Sequence, residues 1–283
     1  MSVVQNSLMY SGSEDITIKI ASVEFFIRDD SGDYVKRATV YNTESDQYDT
    51  VHAIREQYQN FTCAALMVNP LFDGGSGTVN DPFQIKYYRH FDNIRKVTHY
   101  DDDFRKYCVY GYYILTGNIT LSSSFKPLDD GYIYFNGSID GNGYSISNYS
   151  ASGANTSLGL IKNNYAHIFD LTLKSFYIDV DGDDRTGGQV GALCAANHGV
   201  IENVDLQSST IMGTGNSTVG GIVGINENGR IENCSVSTNV TITGTYIIGG
   251  IAGISGGTVE DSTFSGKIRY TTRYTYTDGS GNQ

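Results

Sequence analysis

A glycine-rich phrase returns several times in the second half of this 283-residue chain and constrains its fold more than any other feature. It reads clearest at 220–236, GGIVGINENGRIENCSV. It recurs at 190–206 as VGALCAANHGVIENVDL, at 249–264 as GGIAGISGGTVEDSTF, and in worn form at 158–173 as LGLIKNNYAHIFDLTL. The equivalent apolar positions are Ile168, Ile201, Ile231 and Val259. They lie 33, 30 and 28 residues apart (201 − 168, 231 − 201, 259 − 231). A period of that size marks one supersecondary unit per copy, each stacked on the next.

The residues of one copy say how it stacks. Ile222 and Val223 supply apolar bulk, and the glycines beside them let neighbouring coils approach closely. Asn228 and Gly229 turn the chain. Ile231 is expected to point inward, Glu232 outward, Asn233 to bend, and Cys234 and Val236 to point inward. One such unit cannot cover its own apolar face. Its neighbours cover it and pair its strand edges in parallel register. The fold class that follows is all-β, a right-handed parallel β-helix, with a small N-terminal β-rich domain or cap. Asn203, Asn233 and Asp261 share one column and are expected to form a side-chain ladder at a corner.

Residues 1–70 show no repeat. DITIKIASVEFFI (15–27) alternates like a strand, YVKRATVY (34–41) reads as its partner, and FTCAALMV (61–68) as a buried strand, with a short helix over 50–59. The loop-like NPLFDGGSGTVN (69–80) divides a domain of residues 1–70 from a β-helix of residues 71–283, whose repeats span about 158–264. In 87–97, Phe91, Ile94 and Val97 share one helical face. Residues 111–121 read as strand, and 135–149 as strand, tight turn, strand. After Phe264 the sequence runs out in SGKIRYTTRYTYTDGSGNQ, so the last coil is expected to lack a cap. Self-assembly through that coil, or a longer chain, is the expectation.

A net charge of −12 and a pI near 4.7 oppose nucleic-acid binding, which needs a basic face. No apolar run approaches the roughly 20 residues of a membrane span. The opening residues MSVVQNSLMYSGSED lack a basic start and an apolar core. A secretion signal is therefore expected outside this sequence, unless the chain is made in the cytosol. Cysteines 63, 108, 194 and 234 form no CxxC pair, which argues against zinc. They read as buried small apolar residues, with Cys194 aligned on Gly224 and Cys234 on Val204.

The repeats GALCAANHGVIENV (191–204), GGIVGINENGRIENC (220–234) and GGIAGISGGTVEDS (249–262) resemble the GLUG-motif repeats of bacterial surface adhesins and of the non-catalytic part of IgA-protease-like surface proteins. DPFQI (81–85), YYILTGNITL (112–121) and FNGSIDGNGYSISNY (135–149) resemble the lead-in to such repeats. The resemblance covers about residues 70–270. It implies a secreted or surface-anchored protein involved in adhesion. Lys162 and Cys194 depart from the pattern, standing where other copies have Gly224 and Gly253.

No catalytic, cofactor or metal residue is assigned. Asp179, Asp181 and Asp183 alternate like half of a calcium loop, but Asp184 and Val190 stand where glycine and glutamate are required, so an acidic turn is the simpler reading. Glu202, Glu232 and Glu260 form one outward column, which is the geometry a polysaccharide-cleaving β-helix enzyme would exploit, yet they are positions of the repeat itself. HExxH, GxSxG and a P-loop are absent from the sequence. Lys86, Arg89, Arg95, Lys96, Arg105 and Lys106 form a basic run, read as the wet face of a capping helix. Tyr100, Tyr107, Tyr110, Tyr112, Tyr113, Tyr132, Tyr134, Tyr144 and Tyr149 crowd one region and serve either strand packing or ligand stacking.

These features point to a non-enzymatic, extracellular or cell-surface adhesin or stalk whose partner is a host glycan or an extracellular protein. A structural or receptor-binding part of a filament or phage tail, and a polysaccharide-cleaving β-helix enzyme, are the alternatives.

Overall fold

The computed structural model describes residues 20–28, 34–41, 63–101, 106–129, 134–183, 185 and 187–271. For 20–28, 34–41, 63–70, 96, 98–101 and 106–108 it describes the backbone alone. The helix expected at 50–59 lies outside the described residues.

The chain divides into two compact units, Met1–Asp73 and Gly74–Gln283. In the first, Ile20–Arg28 is the centre of an antiparallel sheet, with Tyr34–Tyr41 on one side and Cys63–Pro70 on the other. These segments are rich in β-branched and aromatic residues, which suit a pleated surface.

The second unit is a parallel β-helix. One long face stacks, in order, Phe83–Ile85, Tyr112–Leu115, Ser138–Asp140, His167–Lys174, Val200–Gln207, Arg230–Glu232 and Thr258–Glu260. A second face stacks Ser150–Ala154, Tyr177–Asp181, Thr210–Gly213, Thr241–Gly244 and Lys267–Tyr270. A third carries Tyr134–Phe135, Ile161–Asn164, Cys194–Asn197, Val223–Asn226 and Ala252–Ser255. The expected inward column is present: Ile168 pairs with Ile201, Ile201 with Ile231, and Ile231 with Val259. Ile168, Ile201 and Ile231 have no exposed surface, and Cys234 and Val236 are equally well enclosed.

Helical structure among the described residues is confined to Tyr88–Asn93 and the 3-10 turn Ile94–Lys96. Phe91 and Ile94 on that segment are fully buried, as their spacing predicts, and Phe91 stacks near Phe125 at 5.6 Å. No helix there is long and apolar enough to cross a membrane.

The corner column behaves as a bend. Asp170, Asn203, Asn233 and Asp261 all adopt positive φ, between 46° and 52°, a region that Asn and Asp tolerate better than most residues. Within it the Asn203 amide donates to Asp170 at 2.9 Å. The continuous ladder, however, runs through a different column. Asn164 donates to Asn197 at 2.8 Å, Asn197 to Asn226 at 2.9 Å, and Asn226 to the Ser255 hydroxyl at 3.0 Å. The three asparagines are fully buried. Each also bonds the backbone at the following turn: Asn164 accepts from the N–H of Ala166, Asn197 from that of Gly199, and Asn226 donates to the Thr258 carbonyl.

The third face corrects the expected glycine column. Cys194 pairs with Val223, not Gly224, because the turn after Asn197 is one residue shorter than the turn after Asn226. Ala195 therefore stands opposite Gly224, and Cys194 occupies an ordinary apolar position.

Candidate ligand-binding face

The outer side of the long face is built by the residues that flank the inward isoleucine column. Strand alternation sends them out wherever their neighbour goes in. One outward column reads Tyr112, Ser138, His167, Val200, Arg230, Thr258. The other reads Gln84, Ile114, Asp140, Phe169, Glu202, Glu232, Glu260. The lower half thus mixes aromatic and apolar side chains with Gln84, Asp140 and the buried Ser138. The His167 and Phe169 rings lie 4.5 Å apart at 31°. Tyr112, Ile114, Phe169 and Val200 are half-buried, so each keeps a solvent-facing edge.

The upper half is charged. Glu202, Glu232 and Glu260 share the expected outward column. Each has a partner: the His167 ring meets Glu202 at 3.2 Å, the Arg230 guanidinium meets Glu260 at 2.8 Å, and Arg230 also bonds Glu232. The glutamates favour the charged guanidinium and push the Arg230 pKa up. The carboxylates run along the axis on adjacent rungs of an in-register sheet.

The tyrosine cluster separates into two roles. Tyr113, Tyr134 and Tyr149 are buried, and burial pushes the hydroxyl pKa of Tyr113 and Tyr149 above its usual range. Tyr113 donates to the Tyr110 carbonyl at 2.7 Å, and Tyr149 to that of Gly159 at 2.9 Å. For these three, packing is the answer. Tyr112 and Tyr144 are half-buried and Tyr110 is exposed. Tyr132 and the side chains of Tyr100 and Tyr107 lie outside the described residues.

At the acidic turn, Asp179 and Asp181 point out from one strand on either side of buried Val180. Asp181 accepts from Thr214 at 2.9 Å, and Asp183 accepts from the Arg185 N–H at 2.8 Å and from Asn155 at 3.2 Å. Among the described residues, no three His, Cys, Asp or Glu converge as a metal site.

In the basic run, Arg95 braces a loop. It donates to the carbonyls of Lys126 and Pro127, each at 2.9 Å, pairs with Asp92 at 2.8 Å, and lies 4.8 Å over the Phe125 ring. Arg105 and the side chains of Lys96 and Lys106 lie outside the described residues. Beside Arg95 a cavity of about 380 Å³ is lined by Lys126, Leu128, Asp129 and Lys162, among others. Asp129 is buried, and its carboxylate accepts the backbone N–H groups of Lys162 and, at 2.8 Å, Asn163. Burial outweighs these bonds and the Lys162 charge and pushes its pKa up to about 6.

Sequence reasoning found the glutamate column but missed Ile114, His167 and Phe169 as its lower continuation. Stepping one residue to either side of each inward isoleucine would have found them. Asp129 and the Asn164–Asn197–Asn226 ladder were also missed.

The GLUG motif family model matches residues 215–242. A provisionally named Gly-rich membrane protein of Evansella cellulosilytica is 31% identical over 149 residues, which are 48% of this chain and 16% of that protein. Halomucin of Haloquadratum walsbyi is 31% identical over 193 residues, covering 64% of this chain and 2% of halomucin. The chain thus spans a small part of each relative's length. Among solved structures, a protein from Bacteroides ovatus provisionally named an immunoglobulin A1 protease superposes with a TM-score of 0.50. It is 18% identical, and the match covers 70% of each chain. That likeness concerns the fold alone.

Proposed function

This chain is built on GLUG repeats wound as a parallel β-helix, and from that premise we propose a non-enzymatic module of an extracellular or cell-surface protein. It holds a rigid outer face against a glycan or an extracellular protein. The Gly-rich membrane protein and halomucin, both far longer than this chain, support a place in a large surface assembly.

The observation that carries the reading is the state of Glu202, Glu232 and Glu260. A glycosidase sets two carboxyl groups on opposite sides of the scissile bond, with one of them free to give up a proton. Here the three lie in one line on the same face, Glu232 and Glu260 both tied to Arg230 and Glu202 bonded to the His167 ring. Such an arrangement suits recognition better than acid–base chemistry.

The test is a panel of glycans and matrix proteins, read by calorimetry for binding and by reducing-end release for cleavage. Saturable binding without new reducing ends is expected. Release of fragments that Glu232→Gln abolishes would replace this reading with a glycan-cleaving one.

A further inference from the structure

We propose that the outer side of the long face binds an extended, unbranched, uncharged glycan laid along the β-helix axis. This rests on the binding-module reading above and assigns its ligand class and its face.

Adjacent rungs are ~4.8 Å apart, so residues two rungs apart are separated by ~10 Å. Tyr112 and His167 occupy one outward column two rungs apart; Ser138 between them is buried and donates to the His167 carbonyl, so the polar group on that rung is Asp140 of the neighbouring column. Ile114 and Phe169 occupy the other, with Asp140 between them. A linear sugar chain following the axis therefore meets an apolar contact at alternate rungs and a hydrogen-bonding group in between. Pyranose rings offer flat C–H faces that stack on aromatic rings and hydroxyl rims that bond to carboxylates. The columns supply both, in register, without a pocket.

The two columns carry Asp140, Glu202, Glu232 and Glu260 against the guanidinium of Arg230, with His167 beside Glu202. A polyanion approaching this face meets like charge, and the chain as a whole carries −12. Uronate-rich and sulfated polymers are thereby disfavoured, whereas neutral hydroxyls find carboxylate acceptors already fixed in place by Arg230.

The experiment titrates the 283-residue chain with a neutral β-linked hexasaccharide of glucose, one of N-acetylglucosamine, and an oligogalacturonate, all by calorimetry. At least one neutral oligomer is expected to bind and the oligogalacturonate not to. Phe169→Ala and Tyr112→Ala should each weaken neutral binding about tenfold. Should either variant fail to fold by circular dichroism, His167→Ala carries the test, since that side chain is 44% exposed and lies outside the core. Glu232→Gln with Glu260→Gln removes two carboxylate acceptors and two negative charges, so it should weaken neutral binding and raise affinity for the oligogalacturonate. Preference for the acidic oligomer, or neutral binding indifferent to all three ring variants, would overturn the inference while leaving a binding module in place. Silence toward every glycan and every matrix protein would remove both.

Discussion

Asn164 donates a 2.8 Å hydrogen bond to Asn197 at a depth where neither residue has any exposed surface. Asn197 passes the pattern upward to Asn226 at 2.9 Å. Truncating the middle member strands a donor below and an acceptor above, both cut off from water. Asn197→Ala should therefore cost about 2–4 kcal/mol, roughly the sum of two buried unsatisfied groups. Asn203→Ala, at the exposed corner, should cost about 1 kcal/mol, mainly through its positive φ. Urea unfolding midpoints decide the order. Equal losses at both sites would mean that the ladder contributes nothing beyond a corner residue.

Gly220 is required by space. A Cβ there would lie 1.9 Å from the Val223 carbonyl oxygen and 2.6 Å from the Gly253 nitrogen, both backbone atoms. Gly220→Ala should thus shift the coil and cost about 1–3 kcal/mol, occasionally more. At Gly143 nothing lies within 4 Å of the added atom, so Gly143→Ala meets only the strain of its φ of 74°. A smaller loss of thermal midpoint at position 143 than at 220 is the expected result.

Asp129 links stability to pH. Burial raises its pKa from 3.8 to about 6, against two backbone N–H groups and Lys162. Tyr149 and Cys194 also sense its charge, and Arg95 lies close by. The folded state therefore holds this proton more tightly than the unfolded chain does. The contribution is fully present below about pH 4 and is lost as pH rises through 6. A shift of that size corresponds to about 3 kcal/mol. Asp129→Asn cannot ionise, so between pH 4 and pH 7 its stability relative to the parent should improve by about that amount. Parallel stability profiles for the two proteins would show that the carboxyl titrates normally.

Two thiols of the β-helix, Cys194 and Cys234, should be inert. Burial drives the Cys194 pKa well above its usual value and that of Cys234 up to about 11. Both are free and buried. In a Cys63→Ser, Cys108→Ser background, native protein at pH 8 should resist a maleimide probe until denaturant is added. Prompt native labelling would place a thiolate at the surface.

Much of this architecture is legible in the sequence because a parallel β-helix repeats its constraint. Ile168, Ile201, Ile231 and Val259 could be matched by eye, and each is in register. The outward Glu202, Glu232 and Glu260 followed by alternation. The asparagine ladder escaped because its offset differs from that of the isoleucines: 226 − 197 is 29, whereas 231 − 201 is 30. A single gapless alignment of those two copies cannot satisfy both columns, and it placed Cys194 on the glycine. Polar residues are also poor candidates for a core until their partners are visible. Asp129 left no local signal, since its role depends on the strand Ile161–Asn164, more than thirty residues away.

Each backbone bond between coils points along the axis of the β-helix, from one rung to the next. Tension applied between the two ends of the solenoid therefore loads the rungs in series, and the weakest one opens first. A coil that detaches frees its 28–33 residues, about 100 Å of slack, before the next rung bears the load. Under pull the module would act as a stepwise damper, lengthening coil by coil instead of failing at once.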